Sequence, residues 1–154
     1  MPTFFAVFKN RFWYNACDQR RNKVQDVRLE TELHVTTPNE PGILGRVLGT
    51  LANSAVNLRA MNAYADKDQG RFFLITSDNA KAAKCLKALG YAVDTQEVVT
   101  IPIDDRIGSG AEVGALLGNA VIDVLYSYCT STSSGKVLMV IQTNDNKKAL
   151  DTLS

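Results

Sequence analysis

A single histidine, one tryptophan, four prolines and three cysteines among 154 residues leave little material for the common catalytic chemistries. With His34 alone, no histidine cluster can hold a metal, and no serine, cysteine or lysine stands in a nucleophile–base motif. Cys17, Cys85 and Cys129 are odd in number, far apart and outside any C-x-x-C spacing, which excludes a zinc or redox motif. That usage fits a reducing compartment, with Cys85 and Cys129 as small apolar filler. An excess of one charge is also missing. Seventeen Lys and Arg against sixteen Asp and Glu give a net +1, so no overall field directs the chain to nucleic acid or a membrane surface. No apolar run approaches the ~20 residues of a spanning helix. The opening Met1–Lys9 has no basic stretch before its apolar run, and Lys9 and Arg11 stand where a cleavage site would begin, so it does not read as a signal peptide. Gly108-Ser109-Gly110 lacks the lysine and the spacing of a phosphate loop. The expectation is a soluble, cytoplasmic protein that is not an enzyme, with no catalytic residue, no metal and no cofactor.

What is present is a repeat. Laying Ala55-Val56 over Ala120-Val121, an offset of 65, brings Gly70 onto Gly135, Arg71 onto Lys136 and Phe72–Ile75 onto Val137–Val140. In the first copy Thr31–Thr37 alternates, with Leu33 and Val35 on one face and Glu32, His34 and Thr36 on the other, which predicts a strand. Pro38–Gly42 breaks it. Leu44, Val47, Leu48 and Leu51 then recur at three- and four-residue spacing and predict a helix over Ile43–Asn53. Strands are expected over 56–65 and 71–77, a helix from the Asp78 cap to Leu89 with Gly90 as its stop, and strands over 91–95 and 97–103. The second copy repeats this with a helix near 111–119, strands over 122–130 and 136–143, and a helix from Asp145.

The fold class expected is α+β: two tandem ferredoxin-like βαββαβ units, antiparallel sheets with helices on one face. The divisions are an N-terminal extension at 1–28, a first unit at 29–96 and a second at 97–154. The last strand of the second unit is missing or supplied from elsewhere, with Phe4–Phe8 a candidate. Phe72–Ile75 and Val137–Ile141 are apolar on both faces, while helices cover only one. The second face should therefore meet another sheet, inside the chain and between chains, as a homodimer through sheet faces or edges.

The run Asn39-Glu40-Pro41-Gly42-Ile43-Leu44, followed by Val47-Leu48, Leu51-Ala52 and Val56-Asn57-Leu58, resembles the ACT-domain family, with its Asn-x-Pro-Gly-x-Leu signature, apolar helix and second-strand start. Residues 31–154 are similar to stand-alone proteins made of two such domains. The resemblance implies a regulatory module that binds a free amino acid or similar metabolite at an interface between ACT units, with an enzyme as a possible partner. It points to Asn39, Glu40, Pro41, Gly42, Ile43, Leu44 and Asn57 as ligand-binding residues. Thr37 stands where serine-regulated members carry a histidine, which counts against serine as the ligand.

The residues' own chemistry is compatible with that. A glycine ahead of a helix leaves free amides and a positive dipole end for a carboxylate. Asn39 and Asn57 offer donors and acceptors to a zwitterion. Equally, Asn39 serves as a turn residue or cap and Asn57 as a strand-entry residue. The second loop, Asp104-Asp105-Arg106-Ile107-Gly108, keeps the glycine but loses the motif, and two aspartates repel a carboxylate. Gly110, Gly114 and Gly118 weaken the helix behind it by about 1 kcal/mol each. Asp104, Asp105, Arg106 and Gly108 are thus candidates for a degenerate or altered second site. The alternative function is a ligand-free interaction or dimerisation module. A nucleic-acid surface built from Lys9, Arg11, Arg20, Arg21, Lys23 and Arg28 around Phe12-Trp13-Tyr14 is set aside, because Asp18, Asp26 and Glu30 dilute its charge.

Overall fold

The computed structural model describes residues 26–131 and 135–154. The elements are β1 (Arg28–Pro38), α1 (Ile43–Asn53), β2 (Leu58–Asp66), β3 (Gln69–Thr76), α2 (Asn79–Ala88), β4 (Ala92–Asp104), α3 (Ser109–Asn119), β5 (Val124–Ser131), β6 (Lys136–Thr143) and α4 (Asn146–Leu153). This is the α+β arrangement of two βαββα units, the long strand β4 following the first and opening the second. Asp78 and Asp145 cap α2 and α4 by accepting from the amides of Lys81 and Lys148. In α1 the buried stripe is Ile43, Val47 and Leu51, while Leu44 turns outward, so the apolar face starts one residue earlier than the spacing suggested. The two strands expected at 91–95 and 97–103 are one, because Gln96 continues the extended backbone and pairs with Glu32.

All six strands are antiparallel, in the order β2-β3-β1-β4-β6-β5. That order reads the same from either edge once the repeats are equated. Gly42 and Gly108 are the matching left-handed caps, at φ 88 and 93, and Ala55 and Val121 the matching left-handed residues, at φ 51 and 55. The offset is therefore 66 rather than 65 through the first helix of each copy. Thr31 pairs with its equivalent, Glu97, which puts a pseudo-two-fold axis between them. Asn79 donates to the Thr31 carbonyl and accepts from Thr76, and Asn146 does the same with Glu97 and Thr143.

Around that axis each long strand serves both halves. Thr36–Leu33 of β1 lies beside Ala92–Thr95 over a core of Leu33, Val35, Val47, Leu51, Leu74 and Leu86. Arg28–Thr31 lies beside Thr100–Glu97, with Val27 and Leu29 packed on a second core of Val99, Ile101, Leu117, Ile141 and Leu153. The β4 edge of the second half is thus covered by the first four residues of β1. Phe4–Phe8, the aromatic-basic segment at 9–28 up to residue 25, and Cys17 lie outside the described residues.

Both cores share one face of the sheet. The opposite face buries Ala60, Ile75, Val98 and Val140. It does so because the sheet rolls until its edge strands β2 and β5 touch, bringing the rings of Phe73 and Tyr126 to 4.9 Å. In a flat sheet five strand spacings would hold those edges about 24 Å apart. The double-sided apolarity of β3 and β6 is therefore satisfied within one chain. Cys85 packs on the first core, but Cys129 is exposed, because no helix covers the outer side of edge strand β5.

At one end of the rolled face Arg59 of β2 reaches Glu30 of β1 with both guanidinium arms, and Thr100 donates to the same carboxylate. Burial pushes the Glu30 carboxyl up, but the Arg59 and Thr100 hydrogen bonds outweigh it and leave the group below its usual range. This contribution to stability is complete above the unfolded value of about 4.3 and is lost as pH falls through the lower folded value. Acid unfolding of Glu30→Gln should accordingly be less pH-sensitive below about pH 4.3 than that of the parent. An identical acid limb in both proteins would contradict it.

Candidate ligand-binding site

Between β1 and α1 the chain turns at Gly42, whose φ of 88 lies where side chains are disfavoured. No side chain caps α1 and no acidic residue occupies its first turn. Its dipole end is therefore presented to the loop without a built-in anion. Asn39 fixes the loop to the β2–β3 turn: its amide donates to the Asp68 carbonyl at 2.8 Å and its Nδ2 to the Lys67 carbonyl at 3.3 Å. Among the described residues nothing donates to its Oδ1. Glu40 is held by Arg46 at 2.6 Å, an ion pair about half exposed on both sides and so of small energetic weight.

Asn39, Glu40, Pro41, Gly42 and Leu44 thus share one exposed surface, whereas the Ile43 side chain belongs to the core. Asn57 is elsewhere. Its amide donates to Ser77 Oγ and its carbonyl accepts from the Ser77 amide, closing the entry to β2. The eight residues of β3 separate the two ends, about 25 Å at ordinary strand rise. One chain does not bring Asn39 and Asn57 together.

The second loop starts its helix in the same way, at Gly108, but two of its three charges are paired, while the Asp105 side chain has no ion pair among the described residues. Asp104 pairs with Lys136 at 2.5 Å, which holds its carboxyl below the usual range, and Arg106 pairs with Glu112. Ile107 is fully exposed. Ser109 occupies the position equivalent to Ile43 and is 7% exposed, and its hydroxyl has no hydrogen-bond partner among the described residues. Removing that hydroxyl relieves an uncompensated desolvation and introduces a better helix former. Ser109→Ala should raise stability by about 1 kcal/mol in urea unfolding, and a loss of stability would show that the hydroxyl is paired.

The rolled face carries a polar cluster that sequence reasoning did not single out. Glu32 is fully buried. Its Oε1 accepts from the Tyr128 hydroxyl at 2.6 Å, and its Oε2 accepts from Tyr126 and faces His34 Nε2 at 2.6 Å. Burial first, and the carboxylate second, push both tyrosines far above their ordinary range, so they remain protonated donors. His34 also stacks on Phe73, centroids 4.1 Å apart and planes 14° off parallel, and Tyr64 meets Phe73 edge-on. The only signal in the sequence was alternation, Glu32 with His34 in one strand and Tyr126 with Tyr128 in another. Local pattern does not say that strands more than ninety residues apart converge. Among the described residues no group of His, Cys, Asp and Glu has the arrangement of a metal centre, and no helix is long and apolar enough to cross a membrane.

Set against known structures, the chain is similar to protein BT0572 from Bacteroides thetaiotaomicron, at 28% identity and TM-score 0.76 over 82% of this chain and 88% of that one. The fold is shared by the ligand-free regulatory subunit of aspartate kinase from Thermus thermophilus, at 14% identity and TM-score 0.60 over 85% and 96%. It is also shared by the Clostridium acetobutylicum aspartate kinase, at 13% identity and TM-score 0.50 over 88% of this chain and 36% of the enzyme. No curated protein sequence matches. The family model of ACT domain pairs matches residues 29–153, and the chain belongs to that family.

Proposed function

We propose that the protein is a regulatory module that senses a free amino acid at the β1–α1 loop, with the ligand carboxylate on the uncapped start of α1 and its polar groups on Asn39. The observation that carries this reading is a helix start behind Gly42 without a side-chain cap, beside an Asn39 whose Oδ1 meets no donor among the described residues, in a chain of the ACT-pair family. Asn57 joins the site only from a second copy, since within one chain it stands at the far end of β3. A homodimer that sets the loop of one copy against the β2 entry of another follows from that arrangement. The protein regulates and does not catalyse, and it works in the cytoplasm without a cofactor.

The test is a ¹⁵N chemical-shift titration with the twenty L-amino acids. The amides of residues 39–46 are expected to move with at least one of them, and Asn39→Ala to abolish that movement. Movement unchanged in Asn39→Ala would remove Asn39 from the site. The second reading, an interaction module that binds no metabolite, is favoured by the second loop, where Asp104 and Arg106 are already paired with Lys136 and Glu112. It predicts no movement at residues 39–46 with any amino acid.

A further inference from the structure

The rolling of the sheet leaves a cavity of about 280 Å³ beside the Glu32 cluster, on the face away from the helices. Its lining combines one cation with two anions and an aromatic wall: Arg71 of β3, Asp66 of β2, Asp94 of β4, and the rings of Tyr64, Phe73 and His34. None of these belongs to the β1–α1 loop.

The wall is held in place before any ligand arrives. His34 is fixed from behind by Glu32 and Tyr126, and Phe73 is sandwiched by His34 on its face and Tyr64 on its edge. Arg71 is much less committed. A guanidinium offers five N–H donors. Here one arm donates to Thr36 Oγ1 at 2.8 Å, and Asp66 stands 4.0 Å from another nitrogen, at the limit of an ion pair. Asp94 is exposed, and its side chain has no hydrogen bond or ion pair among the described residues.

The charges define what fits. A simple anion on Arg71 would face Asp66 and Asp94, and a simple cation on Asp94 would face Arg71. A molecule that carries both signs on neighbouring atoms pairs its anion with Arg71 and its cation with Asp94, while Asp66 keeps its 4.0 Å contact with Arg71. The volume is at the lower edge of ligand pockets, which run from about 300 Å³ upward, so the occupant is small. We infer that this inner-face cavity is a second amino-acid site, which takes the zwitterion with its carboxylate on Arg71 and its ammonium on Asp94, and lays the side chain on Phe73 and Tyr64. The inference stands on geometry separate from the loop site and extends the proposed function without resting on it.

The experiment is calorimetric and shift-mapped titration of the full chain with the twenty L-amino acids, repeated on Arg71→Gln, Asp94→Asn and Asn39→Ala, each checked for an unchanged circular dichroism spectrum. At least one amino acid is expected to move the amides of residues 64, 71, 73 and 94. Arg71→Gln and Asp94→Asn should each weaken that event by about tenfold to a hundredfold, the worth of a charged hydrogen bond, while Asn39→Ala leaves it unchanged. The N-acetyl and methyl-ester forms of the binder, tested on the unmutated protein, should both fail to bind there. Binding that survives both derivatives would overturn zwitterion recognition. Binding lost in Asn39→Ala but kept in Arg71→Gln would assign all recognition to the loop and overturn the inner site. An absence of any movement at residues 64, 71, 73 and 94 with every amino acid would overturn it as well, whatever the loop does.

Discussion

Glu32→Ala is expected to destabilise the fold by about 3–5 kcal/mol, the usual cost of deleting one member of a buried charged cluster. The carboxylate is fully buried and is the shared acceptor for Tyr126, Tyr128 and His34. Its removal leaves the hydroxyls of the half-buried Tyr126 and Tyr128 without their acceptor and a void on the inner face of β1. It also cuts the polar tie between β1 and β5, which lie three strands apart in the sheet and meet only because the sheet is rolled. Against a total stability of about 5–15 kcal/mol this is a large fraction. Urea unfolding followed by circular dichroism measures it. A loss under about 1 kcal/mol would mean that the cluster is hydrated and contributes little. Glu32→Gln preserves the volume and one acceptor oxygen and is expected to fall between the two.

Gly70→Ala is the second large effect. Gly70 sits on β3 between Thr37 of β1 and Ala65 of β2, and a Cβ built there would stand 2.7 Å from Thr37 Oγ1 and 3.2 Å from the Phe72 ring. Thr37 is buried, and its hydroxyl donates to the Pro38 carbonyl, so it cannot swing away without giving up that bond. Overpacking of this kind costs about 1–3 kcal/mol. The clash has one main partner, which makes it separable. In a double-mutant cycle Thr37→Ala should recover most of the loss, with a coupling of about 1 kcal/mol or more between the two sites. Simple additivity would show that the strain lies in the Phe72 ring or the backbone.

Much of this architecture was legible because the governing signals are local. The alternation of Leu33 and Val35, the spacing of Val47 and Leu51, the Asp78 and Asp145 caps and the punctuation by Gly42 and Gly90 each act within a few residues. The double-sided apolarity of Phe72–Ile75 and Val137–Ile141 also carried real information, namely that a second face is buried. What it could not carry was how. The answer depends on the roll of six strands, which brings Phe73 onto Tyr126 and Glu32 onto Tyr128 across more than fifty residues of chain. The offset of 65 failed by one residue for a similar reason: identities such as Gly70 and Gly135 dominate a sequence overlay, whereas the backbone equivalence runs through Gly42 with Gly108 and Ala55 with Val121. Of the loop residues, the turn glycine was readable from its place before a helix. The separation of Asn57 from Asn39 was not, because both motifs lie within one short segment while β2 and β3 carry them to opposite ends of the sheet.

The most direct measurement of the central claim is a thermal-shift screen of the purified chain against the twenty L-amino acids, run in parallel on Asn39→Ala. A ligand at about a hundredfold over its dissociation constant stabilises the folded state by about 2.7 kcal/mol, well within reach of the method. The account predicts that at least one amino acid raises the melting temperature and that the rise shrinks in Asn39→Ala. A folded protein whose melting temperature no amino acid moves would contradict it.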